Sequence, residues 1–308
     1  MTIKTRKKVL FIVISSRNDI SRDNFLALQM PEIDLLAQAD IKTIDYYDQP
    51  NKSIIYWQKV NQLIEQYYDD YDGFIIIKEP DSLIFAAIAT QTALIKNSKP
   101  IIFTTAPFQD GGFSFMKGIY QVGLRTNIIN SLQLISTGIP ETMIVYGQKV
   151  IVANKTKKKS MNELNAFLSV DDHYLAEIDF QVQLKSAFAK NQNNMKMINK
   201  FCQDFNILYL HPGFIWSDYR FILQKSKALI IKSNRQRGLT KHDYQYLQKY
   251  FSNKPIIIFN KLGLLNDDLP ANYILVNKMT WEEIVVRTMW CLAQTNEPKK
   301  FKRLFVKQ

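Results

Sequence analysis

Three uninterrupted apolar runs mark the predicted interior strands of this chain. Val9 to Ile14, Phe74 to Ile77 and Ile101 to Phe103 contain only apolar residues, most of them β-branched. Such runs suit strands that are buried on both faces of a parallel sheet. The second run leads into Lys78-Glu79-Pro80-Asp81-Ser82 and then into an apolar helix pattern from Leu83 to Ile95. The pattern predicts a strand–helix–strand unit whose loop lies at the carboxyl end of the strand, where open α/β sheets place their ligands.

The rest of the chain also alternates between predicted strands and helices, although some stretches show no regular pattern. Residues 20–50 show no regular pattern apart from a short strand predicted at Thr43 to Tyr47. Asp81 is predicted to cap the helix from Leu83, Thr240 to cap a later helix, and Thr280 to open a capping box with Glu283. The remaining predicted elements are a helix at Ile54–Tyr68, a helix at Leu124–Thr137, a hairpin at Glu141–Tyr146 and Lys149–Val152, strands at Ile207–Leu210, Ala228–Ile231 and Pro255–Phe259, and a helix at Trp216–Lys225.

Strand and helix patterns occur in both halves and predict two α/β domains. The polar run Lys190 to Asn194 separates them and is typical of a linker. We therefore expect a larger amino-terminal domain over residues 1–192, with a mainly parallel sheet, and a smaller α/β domain over residues 193–308.

Composition narrows the function classes. The longest apolar runs are the length of strands, so no membrane partner is expected, and the basic start is followed by too short an apolar segment for a secretion signal. Two isolated cysteines, Cys202 and Cys291, suggest neither a disulfide framework nor a metal cluster, which fits a cytoplasmic protein without a cofactor or a metal. The formal charge of +12 allows a polyanionic partner or simply a solvated basic surface. Nucleic acid is not expected, because the basic run Lys155 to Lys159 lacks an accompanying aromatic-interleaved motif.

Several separate segments, in the same order, resemble the cytosolic bacterial (type I) L-asparaginases of the asparaginase/glutaminase family. The likeness covers nearly the whole chain and implies the two-domain α/β fold of that family, an amidohydrolase ancestry and a homodimer or homotetramer. The segments that carry it are Tyr68 to Phe74, Lys99 to Ile102, Ile139 to Glu141, Asn154 to Lys158, Asn165 to Phe167, Tyr209 to Gly213, Lys227 to Ser233 and Met279 to Glu283.

The same resemblance indicates that the catalytic hydroxyls are missing. The family signature Thr-Gly-Gly-Thr-Ile, whose last threonine is the nucleophile, corresponds to Ser15 to Asp19, which puts Asn18 in the nucleophile's place. The second signature, His-Gly-Thr-Asp-Thr, reads Lys78 to Ser82, so that Pro80 replaces the second threonine. Asp81 and Lys158 match the family aspartate and lysine, which normally help to deprotonate the threonine.

Three interpretations of this altered site stay open. The chain is a catalytically impaired homologue, or a non-catalytic ligand-binding or regulatory subunit, or an amidohydrolase in which Ser15 or Ser82 has become the nucleophile. A fourth role, with an acidic partner or linked to tRNA, rests on charge and on a remote analogy to asparaginase-like subunits of tRNA amidotransferases. For Asp81 and Lys158 two roles stay open: a part in catalysis, or a purely structural ion pair.

The resemblance to the family also implies candidate binding residues, on the loops that correspond to the family's substrate-binding loops. Asn18, Asp48, Lys78 and Arg17 lie where the family folds around its substrate, an amino-acid-like ligand. The cations Arg17, Lys78 and Lys158 either pair with neighbouring carboxylates and close the cleft or hold a small anion. We expect closure, because the glycines that would bring backbone N–H groups to an anion are absent.

Overall fold

The computed structural model describes residues 6–15, 30–45, 53–105, 119–159, 166–179, 181–185, 195–233, 235, 238–260 and 269–307. The chain folds as two compact units, Met1–Asn199 and Lys200–Gln308. Up to Asn199 the chain is bonded to the first unit, since the Asn61 side-chain amide donates to Asn199 Oδ1 at 3.0 Å. The polar run on which the predicted boundary at residue 192 rests lies outside the described residues, so that boundary stays a prediction.

An eight-stranded mixed sheet forms the centre of the first unit. Its strands are β1 (Lys7–Ser15), β2 (Ala37–Asp45), β3 (Gly73–Ile77), β5 (Ile101–Thr104), β6 (Thr142–Tyr146), β7 (Lys149–Val152), β10 (Ala176–Ile178) and β11 (Val182–Leu184), and the short strands outside this sheet are β4 (Leu94–Lys96), β8 (Thr156–Lys158), β9 (Phe167–Ser169) and β12 (Lys196–Met197). The strand order in the sheet is β11-β10-β7-β6-β5-β3-β1-β2. The pairs from β6 to β2 are parallel, and those from β11 to β6 are antiparallel.

Strand β3 is an interior strand, as the sequence predicts. It pairs with β1 on one side and β5 on the other, and each of its five residues is buried. Burial on both faces explains why an uninterrupted β-branched run is needed there. The helices of this unit are α1 (Pro31–Leu36), α2 (Ser53–Gln66), α3 (Leu83–Ala93) and α4 (Ile119–Ile135).

The region after β1 differs from the sequence-based expectation. Thr43 to Asp45, the described residues of the predicted strand, lie in the longer strand β2, which begins at Ala37 and follows helix α1. Strand β2 lies at the edge of the sheet and pairs in parallel with β1 from Lys7 to Ser15. An edge strand needs fewer apolar side chains than an interior one, so the polar sequence of β2 hid its first part.

The second unit contains a four-stranded parallel sheet. Its elements are β13 (Phe205–Leu210), β14 (Ala228–Ser233), β15 (Ile256–Phe259), β16 (Tyr273–Val276), α5 (Arg220–Lys225), α6 (Lys241–Tyr250), α7 (Trp281–Gln294) and α8 (Pro298–Val306), with a 3₁₀ turn at Trp216–Tyr219 before α5. The strands lie in the order β13-β14-β15-β16. This sheet confirms the α/β alternation that the sequence predicts for the second half.

Two helix caps in this unit agree with the sequence. Thr240 and Asp243 form a capping box at α6, in which Thr240 Oγ1 accepts from the Asp243 N–H at 3.2 Å. Thr280 Oγ1 accepts from the Glu283 N–H at the same distance at the start of α7, which is one of the two bonds of the predicted capping box. The Glu283 carboxylate pairs with Arg287 at 3.1 Å, inside the helix and largely buried.

Candidate functional site

The candidate site lies at the carboxyl end of β3, where the chain turns into α3. Pro80, Asp81 and Ser82 form one 3₁₀ turn between the strand and the helix. The Lys78 N–H donates to the carbonyl of Thr104 at 3.2 Å, which holds the start of this turn against the end of β5. Open parallel sheets bind ligands at this edge. The turn therefore occupies the position that the sequence predicts for the chemistry.

Lys78 lies almost fully inside the protein. Its side chain is 2% exposed, and its Nζ lies 3.3 Å from Glu79 Oε1. Burial lowers the pKa of the Lys78 ammonium from its ordinary value of 10.5, and the charges of Glu79 and Asp81 oppose part of that effect. Glu79 keeps 29% of its side chain exposed, so water still reaches one partner of this ion pair.

Asp81 and Lys158 form a second ion pair, the structural contact that is one of the two roles left open for them by the sequence. The Lys158 ammonium donates to Asp81 Oδ1 at 2.9 Å, across 77 positions of the chain. The Lys158 side chain is 36% exposed and the Asp81 side chain 71% exposed, so the pair lies at the surface. The expectation that Asp81 caps the following helix is wrong: Ser82 occupies the cap position of α3, and Asp81 faces Lys158 instead.

The strand that carries Lys158 is anchored to the helix that follows Asp81. Lys158 ends β8, where it pairs with Phe167 of β9. Just before β8, the N–H of Asn154 donates to Gln91 Oε1 on α3 at 3.0 Å. Gln91 thus connects α3, the helix after Asp81, to the segment that leads into β8. The sequence of α3 gives no sign of this contact, because its partner lies 63 positions further along the chain.

Pro80 and the serines have different places around this pair. Pro80 is buried in the turn and has no hydroxyl to offer beside Asp81. Ser82 occupies the N-cap position of α3 but makes no capping hydrogen bond there. Ser15 ends β1, and the register Val13↔Ile77 brings that strand end beside the end of β3. The side chain of Ser15, and the whole of Arg17, Asn18 and Asp48, lie outside the described residues.

The described residues of this site provide no metal-binding group, and a surface cavity of the first unit lies elsewhere. Within the described ranges, no group of three or more His, Cys, Asp or Glu side chains could hold a metal ion. A surface cavity of about 700 Å³ lies at the β6–β7 turn and beside β10 and β11, lined in part by Lys149, Glu177 and Asp179. None of the candidate residues that the structure describes lines it. In the described part of the chain, no helix has the length and apolar character to cross a membrane.

Comparison with known proteins identifies the family. The family model for the amino-terminal domain of asparaginase matches residues 13–190, which is more than half of the chain. The chain belongs to the asparaginase family. This confirms the resemblance drawn from the separate sequence segments.

Individual relatives of this asparaginase-family chain are distant. It is 24% identical over 233 residues to the 60 kDa lysophospholipase of Mus musculus, covering 74% of this chain and 40% of that protein. It is 25% identical over 181 residues to L-asparaginase 1 of Escherichia coli K12, covering 58% of this chain and 52% of that protein. The chain thus spans about half or less of the length of these two curated relatives.

A solved structure confirms the fold over the whole chain. L-asparaginase I from Vibrio cholerae superposes with a TM-score of 0.81 at 18% identity, covering 98% of both chains. At this level of identity the likeness establishes the fold and not the activity. The larger, mainly parallel amino-terminal sheet and the smaller carboxyl-terminal α/β domain are therefore those of the family.

Proposed function

We propose that this chain is a catalytically impaired member of the asparaginase family, whose inherited site is closed by its own ion pairs. By ancestry its reaction is the hydrolysis of the side-chain amide of L-asparagine. The observation that supports impairment is the ion pair between Asp81 and Lys158, which lies beside Pro80 rather than beside a threonine hydroxyl. The aspartate and lysine that the family uses to activate a nucleophile bind each other there.

The second ion pair supports closure of the site. Lys78 takes the position of the family histidine, and its buried ammonium binds the carboxylate of the next residue, Glu79. Both described cations of the site are thus paired with carboxylates, which leaves less positive charge to hold an anionic ligand. For this reason we favour closure over a site for a carboxylate or phosphate metabolite.

Ammonia release from L-asparagine and L-glutamine by the purified protein tests this function. Loss of the nucleophile and its activation costs a hydrolase about 10⁴-fold or more in rate, so we expect no turnover at ordinary enzyme rates. Asp81→Asn and Lys158→Met should then give the same signal as the unaltered protein. Turnover at enzyme rates that disappears in Ser82→Ala or Ser15→Ala would contradict the proposal and assign a relocated serine nucleophile.

Calorimetric titration with aspartate, glutamate and phosphate distinguishes impairment with a closed site from a ligand-binding subunit. We expect no binding in the micromolar range. Micromolar binding that is lost in Lys78→Ala and kept in Lys157→Ala, an exposed lysine one position from Lys158, would show that the site still holds a ligand.

The family resemblance also leads us to propose a homodimer or homotetramer in the cytoplasm. The carboxyl-terminal segments that carry the resemblance persist although the catalytic loops have changed, which is the pattern expected when packing surfaces are kept. Light scattering at micromolar concentration tests the assembly. A single species of 36.0 kDa would contradict it.

A further inference from the structure

The positive charge of this chain is concentrated in its second unit. Residues 200–308 contain 18 Lys and Arg and 8 Asp and Glu, a net charge of +10, whereas residues 1–199 contain 22 and 20, a net charge of +2. A lysine-rich proteome would raise the charge of both units alike. The smaller unit therefore carries nearly all of the chain's charge of +12, and such an asymmetry is typical of contact with a polyanion.

Helix α8 presents the densest part of this charge. Its apolar side is turned inward, where Phe301 and Phe305 are fully buried. The opposite side exposes four cations, Lys299, Lys300, Arg303 and Lys307, which we call the α8 basic face.

The α8 basic face has no anionic counterpart in the described part of the chain. None of its four cations forms an ion pair with a carboxylate of the described residues, unlike Lys227, Arg235 and Arg287 elsewhere in the unit. Positions four apart on a helix, such as Lys299 and Arg303, are neighbours on one side, separated by about 6 Å along the axis. The face is thus an array of charges held at fixed spacing by a helix whose other side is packed.

Two further lysines extend the charge along the amino-terminal edge of the sheet. The Lys302 ammonium donates to the Tyr273 carbonyl at the start of β16, at 3.1 Å. The Lys254 ammonium donates to the Ser226 carbonyl, just before β14, at 2.8 Å. Strands β14 and β16 are two positions apart in the sheet, so both ammonium groups are held at the same edge of it.

We propose that the α8 basic face binds the phosphodiester backbone of nucleic acid without reading its sequence. A fixed row of exposed cations suits a polymer with regularly spaced negative charges, and backbone contacts of this kind carry non-specific binding. An anionic membrane fits the face less well, because interfacial helices insert large apolar residues beside their cations. Here Phe301 and Phe305 are buried, and Val306 is the one large apolar residue of α8 that is mostly exposed. This proposal is independent of the state of the candidate site, and it departs from the expectation that nucleic acid is no partner.

Fluorescence anisotropy with a short fluorescein-labelled DNA duplex of mixed sequence tests the proposal on the full chain. If the four cations of the face meet phosphates, the logarithm of the association constant should fall with the logarithm of salt concentration with a slope of about 3 to 4. The affinity should then drop about 100-fold between 50 and 200 mM salt. The variant K299Q/K300Q/R303Q/K307Q should lose this binding and its salt dependence.

A matched variant removes the same charge from the first unit. K42Q/K59Q/K157Q/K196Q neutralises four exposed lysines there and should keep both the affinity and the salt slope. Thermal unfolding of both variants verifies that each is folded. Equal losses in the two variants would overturn the proposal, because net charge alone would then govern binding. Absence of salt-dependent binding to the duplex and to single-stranded RNA would also overturn it, as would binding to phosphatidylserine vesicles without binding to either nucleic acid.

Discussion

Gly73 begins the strand that carries the candidate site, and its substitution by alanine tests how tightly that strand is held. A Cβ at this position would lie 2.5 Å from Ile135 Cδ1 and 3.0 Å from the Pro100 carbonyl oxygen. Ile135 is 1% exposed and lies in the core on helix α4, so its terminal methyl has little room to move. The Pro100 carbonyl accepts from the Phe74 N–H at 3.1 Å and is fixed by that bond.

The expected cost follows from two opposing effects. Overpacking a buried site by one methyl costs about 1–3 kcal/mol. Replacing glycine by alanine in an extended strand restores about 0.4–1 kcal/mol through the entropy of the unfolded chain. Gly73→Ala should therefore lower the free energy of unfolding by about 1–2 kcal/mol.

Ile135→Val removes the methyl that the new Cβ would strike, and it completes a double-mutant cycle. Alone it should cost about 0.5–1.5 kcal/mol. Together with Gly73→Ala it should cost little more than it does alone, which corresponds to a coupling energy of about 1–2 kcal/mol. Urea denaturation of the four proteins, with unchanged m-values, measures each term.

Gly138→Ala provides the control. Gly138 has a φ of +69°, and a Cβ added there would have no neighbour within 4 Å, so its cost comes from backbone conformation and not from contact. Ile135→Val should leave that cost unchanged. A Gly73→Ala variant as stable as the unaltered protein, or strictly additive effects with Ile135→Val, would refute the packing that the structure describes around β3.

Elements with a strong local signal were predictable from the sequence. Strand β3 and the α6 cap at Thr240 each rest on residues adjacent in the chain, through an apolar run in one case and a capping pair in the other. The first part of strand β2, before Thr43, was missed because an edge strand tolerates exposed polar residues such as Gln38 and Lys42, which weaken the apolar pattern. The prediction therefore succeeded where burial on both faces restricts the residue type.

The site depends on contacts that no local pattern contains. Capping by Asp81 is a reasonable local expectation, but Lys158, distant in the chain, takes its carboxylate instead. The resemblance to a family placed these two residues together, whereas composition and periodicity could not. Charge is different in this respect: its concentration in the second half can be counted from the sequence for the two predicted domains and depends on no such contact.

Two buried ionisable groups give further predictions, one in each unit. Asp243 lies in the cap of α6 and accepts from Trp216 Nε1 at 2.8 Å and from Arg235 at 2.9 Å, so Asp243→Ala should lower the free energy of unfolding by about 2–4 kcal/mol in urea denaturation at neutral pH. Burial would raise the pKa of Asp243, but these hydrogen bonds outweigh it and lower the pKa below 3.8, so the stability that Asp243 provides should be lost only as the pH falls through that lowered pKa. For Lys78 burial is the dominant effect, and the pH dependence of stability appears at high pH instead of low pH. Burial lowers the pKa of its ammonium, so between that lowered pKa and 10.5 the unfolded chain binds more protons than the folded one, and the free energy of unfolding rises with pH. The stability of the unaltered protein relative to Lys78→Met should therefore increase as the pH approaches 10.5, and a difference that stayed constant with pH would show that the Lys78 ammonium is not desolvated in the folded chain.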